Sequence, residues 1–95
     1  MAKYEAMLVY SVADGVDTEA LKEKFAELIS SNGTLISAEP WGGEDGIRKL
    51  AYDIKFQSKG LYMLYTFECG PEFPAELDRR LRIEDGILRS LVIKL

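Results

Sequence analysis

Ninety-five residues, 47% apolar and 29% charged, with a net charge of −4, are enough for one core and too few for a second domain; residues 1–95 read as a single domain with no low-complexity tract or internal repeat. The absence of histidine removes the commonest general base and metal ligand, and one cysteine, Cys69, excludes an internal disulfide, so neither a metal nor another cofactor is expected. The opening MAKYEAMLVYSVADG is too short and too polar for a signal peptide or membrane span, which points to a cytoplasmic location.

Lys3 to Val12 carries apolar or aromatic side chains on both alternation sets, the mark of a central strand. After a turn at Ala13 to Val16, Asp17 is placed to cap a helix whose apolar stripe is Leu21, Phe25, Leu28 and Ile29 and which ends before Gly33. Thr34 to Trp41 reads as a strand and GGEDG at Gly42 to Gly46 as an exposed loop. Ile47 to Phe56 is a further strand or the continuation of the previous one. Lys59 and Gly60 are expected to close a hairpin into Leu61 to Glu68, which Gly70 and Pro71 stop.

Phe73 to Lys94, FPAELDRRLRIEDGILRSLVIK, joins a short basic helix to an apolar strand. Pro74 suits a first helical turn, while Phe73, Leu77 and Leu81 recur at four-residue spacing, with Arg79, Arg80 and Arg82 outside that stripe. Gly86 is expected to turn the chain with positive φ. The run Ile87, Leu88, Leu91, Val92 and Ile93 has the pattern of a strand covered on both faces.

The order strand, helix, strand, strand, helix, strand predicts an α+β fold of the ferredoxin-like, split βαβ type. Its four-stranded antiparallel sheet would run in the order 4-1-3-2, with two helices on one face. Two helices cover one face only, so Met7, Val9, Leu91 and Ile93, or their counterparts on the other alternation, would form an open apolar face suited to a partner.

Each motif that could carry chemistry is incomplete. The acylphosphatase pattern needs an arginine in a phosphate-cradling loop and a water-orienting asparagine; SVADG after the first strand has no arginine, and Asn32 falls at a helix end where capping accounts for it. KGLYMLYTF, from Lys59 to Phe67, has the outline of an RNA-recognition signature, but Leu61 and Met63 stand where stacking rings belong. The carboxylate pairs Glu44–Asp45 and Glu84–Asp85 lack the apolar setting that separates acid from base, and the acids of GGEDG would repel phosphate. No catalytic residue and no metal site emerges. Charge is nonetheless uneven: residues 1–46 carry three bases against nine acids, a net −6, and residues 47–95 carry nine against seven, a net +2. A late basic patch on an acidic protein is one reading and a solvated charged face is the other.

Four segments, KYE at Lys3 to Glu5, Trp41–Gly42, RKLAYDI at Arg48 to Ile54 and FPAELDRRLRIEDGILRSLVIK, together resemble in order and near spacing the bacterial family of small ribosomal subunit protein six. The resemblance covers almost the whole chain. It implies a non-catalytic ferredoxin-like protein of the subunit platform that binds small-subunit ribosomal RNA together with small-subunit ribosomal protein eighteen, with no small-molecule substrate and no membrane. Carried over by position, it implies RNA contacts at Lys3, Arg48, Lys49, Arg80, Arg82, Arg89 and Lys94, and partner contacts at Trp41, Leu50 and Tyr52. The chain departs from the family by the insertion GEDGI after the tryptophan and glycine, which adds two acids, and by Asp53 where many relatives have proline. The residues leave a second function open, a free-standing interaction domain that homodimerises through its open sheet face.

Overall fold

The computed structural model describes residues 2–13, 15–41, 47–54 and 57–95, with residues 48, 51–54, 57 and 58 described by backbone alone. The elements are β1 (Ala2–Ser11), α1 (Thr18–Asn32), β2 (Gly33–Pro40), β3 (Ile47–Ile54), β4 (Gln57–Cys69), α2 (Phe73–Ile83) and β5 (Ile87–Lys94). The sheet runs β2-β4-β1-β5, every pairing antiparallel, and β3 pairs with β4 beyond the end of β2. Because β2 lies against Met63 to Cys69 and β3 against Gln57 to Leu61, the two are successive halves of one edge strand. Counted that way, the order is the expected 4-1-3-2 ferredoxin-like sheet.

Local chemistry sets both helices. The Asp17 carboxylate accepts the Ala20 N–H at 3.1 Å, satisfying one of the amides that the first turn leaves free, and Asn32 Nδ2 donates to the Leu28 carbonyl at 2.9 Å at the other end. α2 begins with Pro74 in its first turn and buries Phe73, Leu77 and Leu81 along one stripe, as their spacing predicts. Both stripes face the same side of the sheet, where Tyr4, Ala6, Leu8 and Tyr10 of β1 and Leu61, Met63, Tyr65, Phe67 and Cys69 of β4 complete the core with Phe25 and Ile29. Alternation explains this set: each is two residues from the next along its strand, so all point to one face. Within it the Tyr10 and Tyr65 hydroxyls, both inaccessible to solvent, hydrogen-bond to each other at 2.7 Å. Cys69 is a buried free thiol whose pKa burial raises, with Glu72 adding to the shift, which fits the apolar role expected of it.

Three expectations are corrected. Lys59 and Gly60 are not a hairpin turn: β4 extends back to Gln57, Lys59 pairs with Lys49, and Gly60 lies buried in the ladder between Ser11 and Arg48. Glycine is needed there because a Cβ at Gly60 would press on Val9 Cγ1. Gly86 does not have positive φ; among the described glycines that conformation belongs to Gly15, at +88°, and Gly86 instead gives room to the Leu21 side chain of α1. The last strand is not covered on both faces. β5 is an edge strand, and beyond Ile87 and Leu88 its outward residues Leu91 and Ile93 are 60% and 43% exposed, because both helices lie on the other side. The described part of the strand begun at Ile47 ends at Ile54; its expected end at Phe56 and the GGEDG loop fall outside the described residues.

Candidate nucleic-acid interface

The face without helices is built by the alternate residues of the central strands. The register sets Met7 between Leu64 and Leu91, and Val9 between Tyr62 and Arg89. At one end Val9, Leu50 and Leu88 form a second buried cluster, with Tyr62 packed against it. Leu88 reaches this cluster through a register shift in the β1–β5 ladder after Val9, which puts an extra β5 residue opposite β1. Trp41, 43% exposed, donates its backbone N–H to the Tyr62 carbonyl at 3.0 Å, and the two rings sit 6.0 Å apart at 33°. From this anchored end a shallow apolar strip runs past Met7, Val9, Tyr62, Arg89 and Leu91. Two of the three expected partner residues therefore meet here, Trp41 at the rim and Leu50 beneath. Tyr52 is described by backbone alone.

The expected RNA contacts do not form one patch. Lys3, opposite Glu68, and Arg89, opposite Val9, lie at opposite ends of β1's ladders. Lys94 pairs with Tyr4 at the tip of β5. Arg82 and Arg89 do converge, lining with Asp78, Leu81 and Ile87 the groove between α2 and β5. Arg80 instead lines the grooves between α1 and α2. Arg48 is described by backbone alone, opposite Gly60, and Lys49 stands in the same ladder opposite Lys59.

Electrostatic pairing separates these cations sharply. The arginines of α2, the most conspicuous basic cluster in the sequence, are matched within their own helix. Glu76 holds both Arg79, at 2.7 Å, and Arg80, at 2.8 Å, and Asp78 holds Arg82 at 2.9 Å. Hydrogen bonds first from Arg79 and then from Arg80 pull the Glu76 carboxyl down to about 2. Lys22 and Lys24 pair with Glu19 and Glu84. Among the described residues, Lys3, Lys49, Lys59 and Lys94 form no ion pair. Lys59 is the residue the sequence did not offer. Its spacing beside Gly60 reads as a turn, and only the strand register brings it opposite Lys49.

Among the described residues no group of acids and thiols could hold a metal ion, and no helix is long and apolar enough to cross a membrane. The architecture defines a ferredoxin-like α+β domain with one sheet face packed by helices and the other left open. The family model described as ribosomal protein S6 matches residues 3–94, and the chain belongs to that family. It is thereby a ribosomal protein, a structural constituent of the small subunit of the cytoplasmic ribosome. The chain is 42% identical over 96 residues to the small ribosomal subunit protein bS6 of Clostridium perfringens, covering 99% of this chain and 97% of that protein. It is 38% identical over 98 residues to the bS6 of Alkaliphilus oremlandii, covering 100% and 98%. The crystal structure of the 30S ribosomal protein S6 from Thermotoga maritima superposes with a TM-score of 0.82 at 27% identity, over 99% of this chain and 87% of that one.

Proposed function

We propose that the chain binds small-subunit ribosomal RNA jointly with small-subunit ribosomal protein eighteen, in the subunit platform, and contributes no catalysis. The observation that carries this reading is the open sheet face, where Leu91 and Ile93 on β5 and Met7 and Tyr62 inside it leave an apolar strip that neither helix covers. Apolar area of that kind favours a protein partner, since removing it from water gains roughly 25 cal/mol per Å². Trp41 and Leu50, at the rim and base of the strip, and Tyr52 are the partner residues. Lys3, Arg48, Lys49, Arg80, Arg82, Arg89 and Lys94 serve the phosphates and sugars, for which the arginine fork and the lysine point charge are suited.

The net charge of −4 limits what the chain does alone. RNA affinity scales with the phosphates neutralised, so an acidic protein whose α2 arginines are already matched binds weakly until a basic partner adds to the field. The test is ternary assembly. The chain should cosediment with small subunits through a high-salt wash, and its affinity for the RNA should rise when protein eighteen is present. Tight RNA binding by the isolated chain at physiological salt, unchanged by protein eighteen, would refute the cooperative reading. The exposed strip would equally serve a second copy of the chain; a stable homodimer by sedimentation in the absence of RNA would favour that function instead.

A further inference from the structure

Lys49 of β3 and Lys59 of β4 face each other directly across the antiparallel ladder, both exposed, and neither has an ion-pair partner among the described residues. Directly opposed residues on antiparallel strands have Cβ atoms about 4.5–5.5 Å apart, and like charges in that position repel. An unmatched pair facing across a ladder stands out: Lys22, Lys24, Arg79, Arg80 and Arg82 are matched by carboxylates, and the other described lysines without an ion pair, Lys3 and Lys94, stand opposite Glu68 and Tyr4 and not opposite another cation. Edge protection explains part of it: β3 lies on the sheet edge, and a lysine there discourages pairing with another chain. That accounts for Lys49, and Lys59, one residue beyond the last β1 pairing at Ser11 and Gly60, borders open sheet as well; edge protection leaves unexplained why the two like charges stand directly opposite each other.

The sequence around the pair gives the same sign. Ile47 to Gly60 carries Arg48, Lys49, Lys55 and Lys59 against Asp53 alone, a net +3 in a chain of −4. By sequence, net positive charge is therefore concentrated in Ile47 to Gly60, whereas the arginines of α2 are matched by Glu76 and Asp78. Two ammonium groups on flexible side chains, set at directly opposed strand positions, can both reach one phosphate, whose charge removes their mutual repulsion on binding.

We propose that Lys49 and Lys59 form a two-lysine clamp for a phosphate of the RNA backbone. This rests on the RNA-binding function proposed above and adds to it a specific site, including Lys59, outside the residues carried over by resemblance.

The test compares the full-length chain with Lys49→Glu, Lys59→Glu and Lys59→Gln in two measurements: urea unfolding at low salt, and salt-titrated binding to small-subunit ribosomal RNA carrying the partner protein. Lys59→Glu should raise the urea midpoint, since repulsion becomes attraction across the ladder. The same variant should weaken RNA binding on the order of tenfold near 0.1 M salt, and each reversal should lower the logarithmic salt slope by about one. Lys59→Gln should lose affinity in the same direction with a smaller change in stability. Wild-type affinity and slope in a stably folded Lys59→Glu would overturn the clamp while leaving RNA binding by the chain intact. Absence of salt-dependent RNA binding by the wild-type chain in the presence of its partner would overturn both. A loss of affinity for the partner protein measured without RNA would assign the pair to an acidic protein surface and overturn the phosphate assignment.

Discussion

Removing either hydroxyl of the Tyr10–Tyr65 pair should destabilise the domain more than removing both. The two oxygens lie 2.7 Å apart in the middle of the helix-covered core, with the residues 0% and 1% exposed. In Tyr10→Phe the Tyr65 hydroxyl stays in place with its partner gone, and in Tyr65→Phe the reverse holds. Leaving a buried hydroxyl unsatisfied costs about 1–3 kcal/mol, whereas the net worth of a satisfied hydrogen bond is about 0.5–1.5 kcal/mol. Each single variant should therefore lose about 1–2 kcal/mol, and the double variant, which leaves no orphan, about 0–1 kcal/mol. For a chain of this size 1 kcal/mol corresponds to a Tm change of roughly 4–8 °C. Urea unfolding of the four proteins, analysed as a double-mutant cycle, gives the coupling directly. Additive losses, with the double variant the least stable by the sum of the singles, would show that the hydroxyls are not each other's essential partners.

The same pair governs the alkaline limit: burial raises both phenol pKa values above the ordinary 10, that of Tyr10 further still through the charge of Tyr65. A raised folded-state pKa gives stability that is present below pH 10 and is lost as pH climbs past it, so unfolding titrations should show a steep alkaline limb that Tyr10→Phe/Tyr65→Phe flattens. Glu76 acts at the other extreme. Its carboxyl, lowered from 4.5 to about 2, contributes stability above pH 4.5 that fades as pH falls through 2, and Glu76→Gln should remove that part of the acid limb; an unchanged limb would discount the arginine pairing in solution. Gly33→Ala should be severe, by roughly 1–3 kcal/mol or more, because the added Cβ would meet the Glu68 carbonyl oxygen and the Cys69 side chain, where Gly33 pairs with Cys69 of β4; unfolding at wild-type denaturant concentration would contradict that packing. Leu91→Asp should change stability by less than about 0.5 kcal/mol, as expected for a residue 60% exposed, while abolishing assembly with the partner protein; retained assembly would remove the open strip from the interface.

Periodicity and punctuation made much of this molecule legible from its residues. The four-residue recurrence of Phe73, Leu77 and Leu81 behind Pro74, and the cap at Asp17, are local signals whose energetics act within a turn or two of chain, and the structure follows them. The alternation in Lys3 to Val12 likewise marked a central strand and, with the element order, the 4-1-3-2 sheet. Lys59–Gly60 misled because glycine beside a charged residue has the composition of a turn, although here glycine serves close packing on Val9. Gly86 misled in the same way, its missing side chain making space for Leu21 and not a left-handed turn.

Charge shows the same division. The sequence determined how many cations there are and that they lie late in the chain, since that is composition; it also determined which helix faces are apolar, since 3.6-residue periodicity is a property of one segment. Which cations remain unmatched was a tertiary matter. Helical spacing lets Glu76 and Asp78 neutralise the arginines beside them, while the strand register, fixed by the burial of alternate residues along β4, brings Lys49 and Lys59 face to face from positions ten residues apart. Coulomb energy depends on distances in space, and strand pairing, not order along the chain, sets those distances.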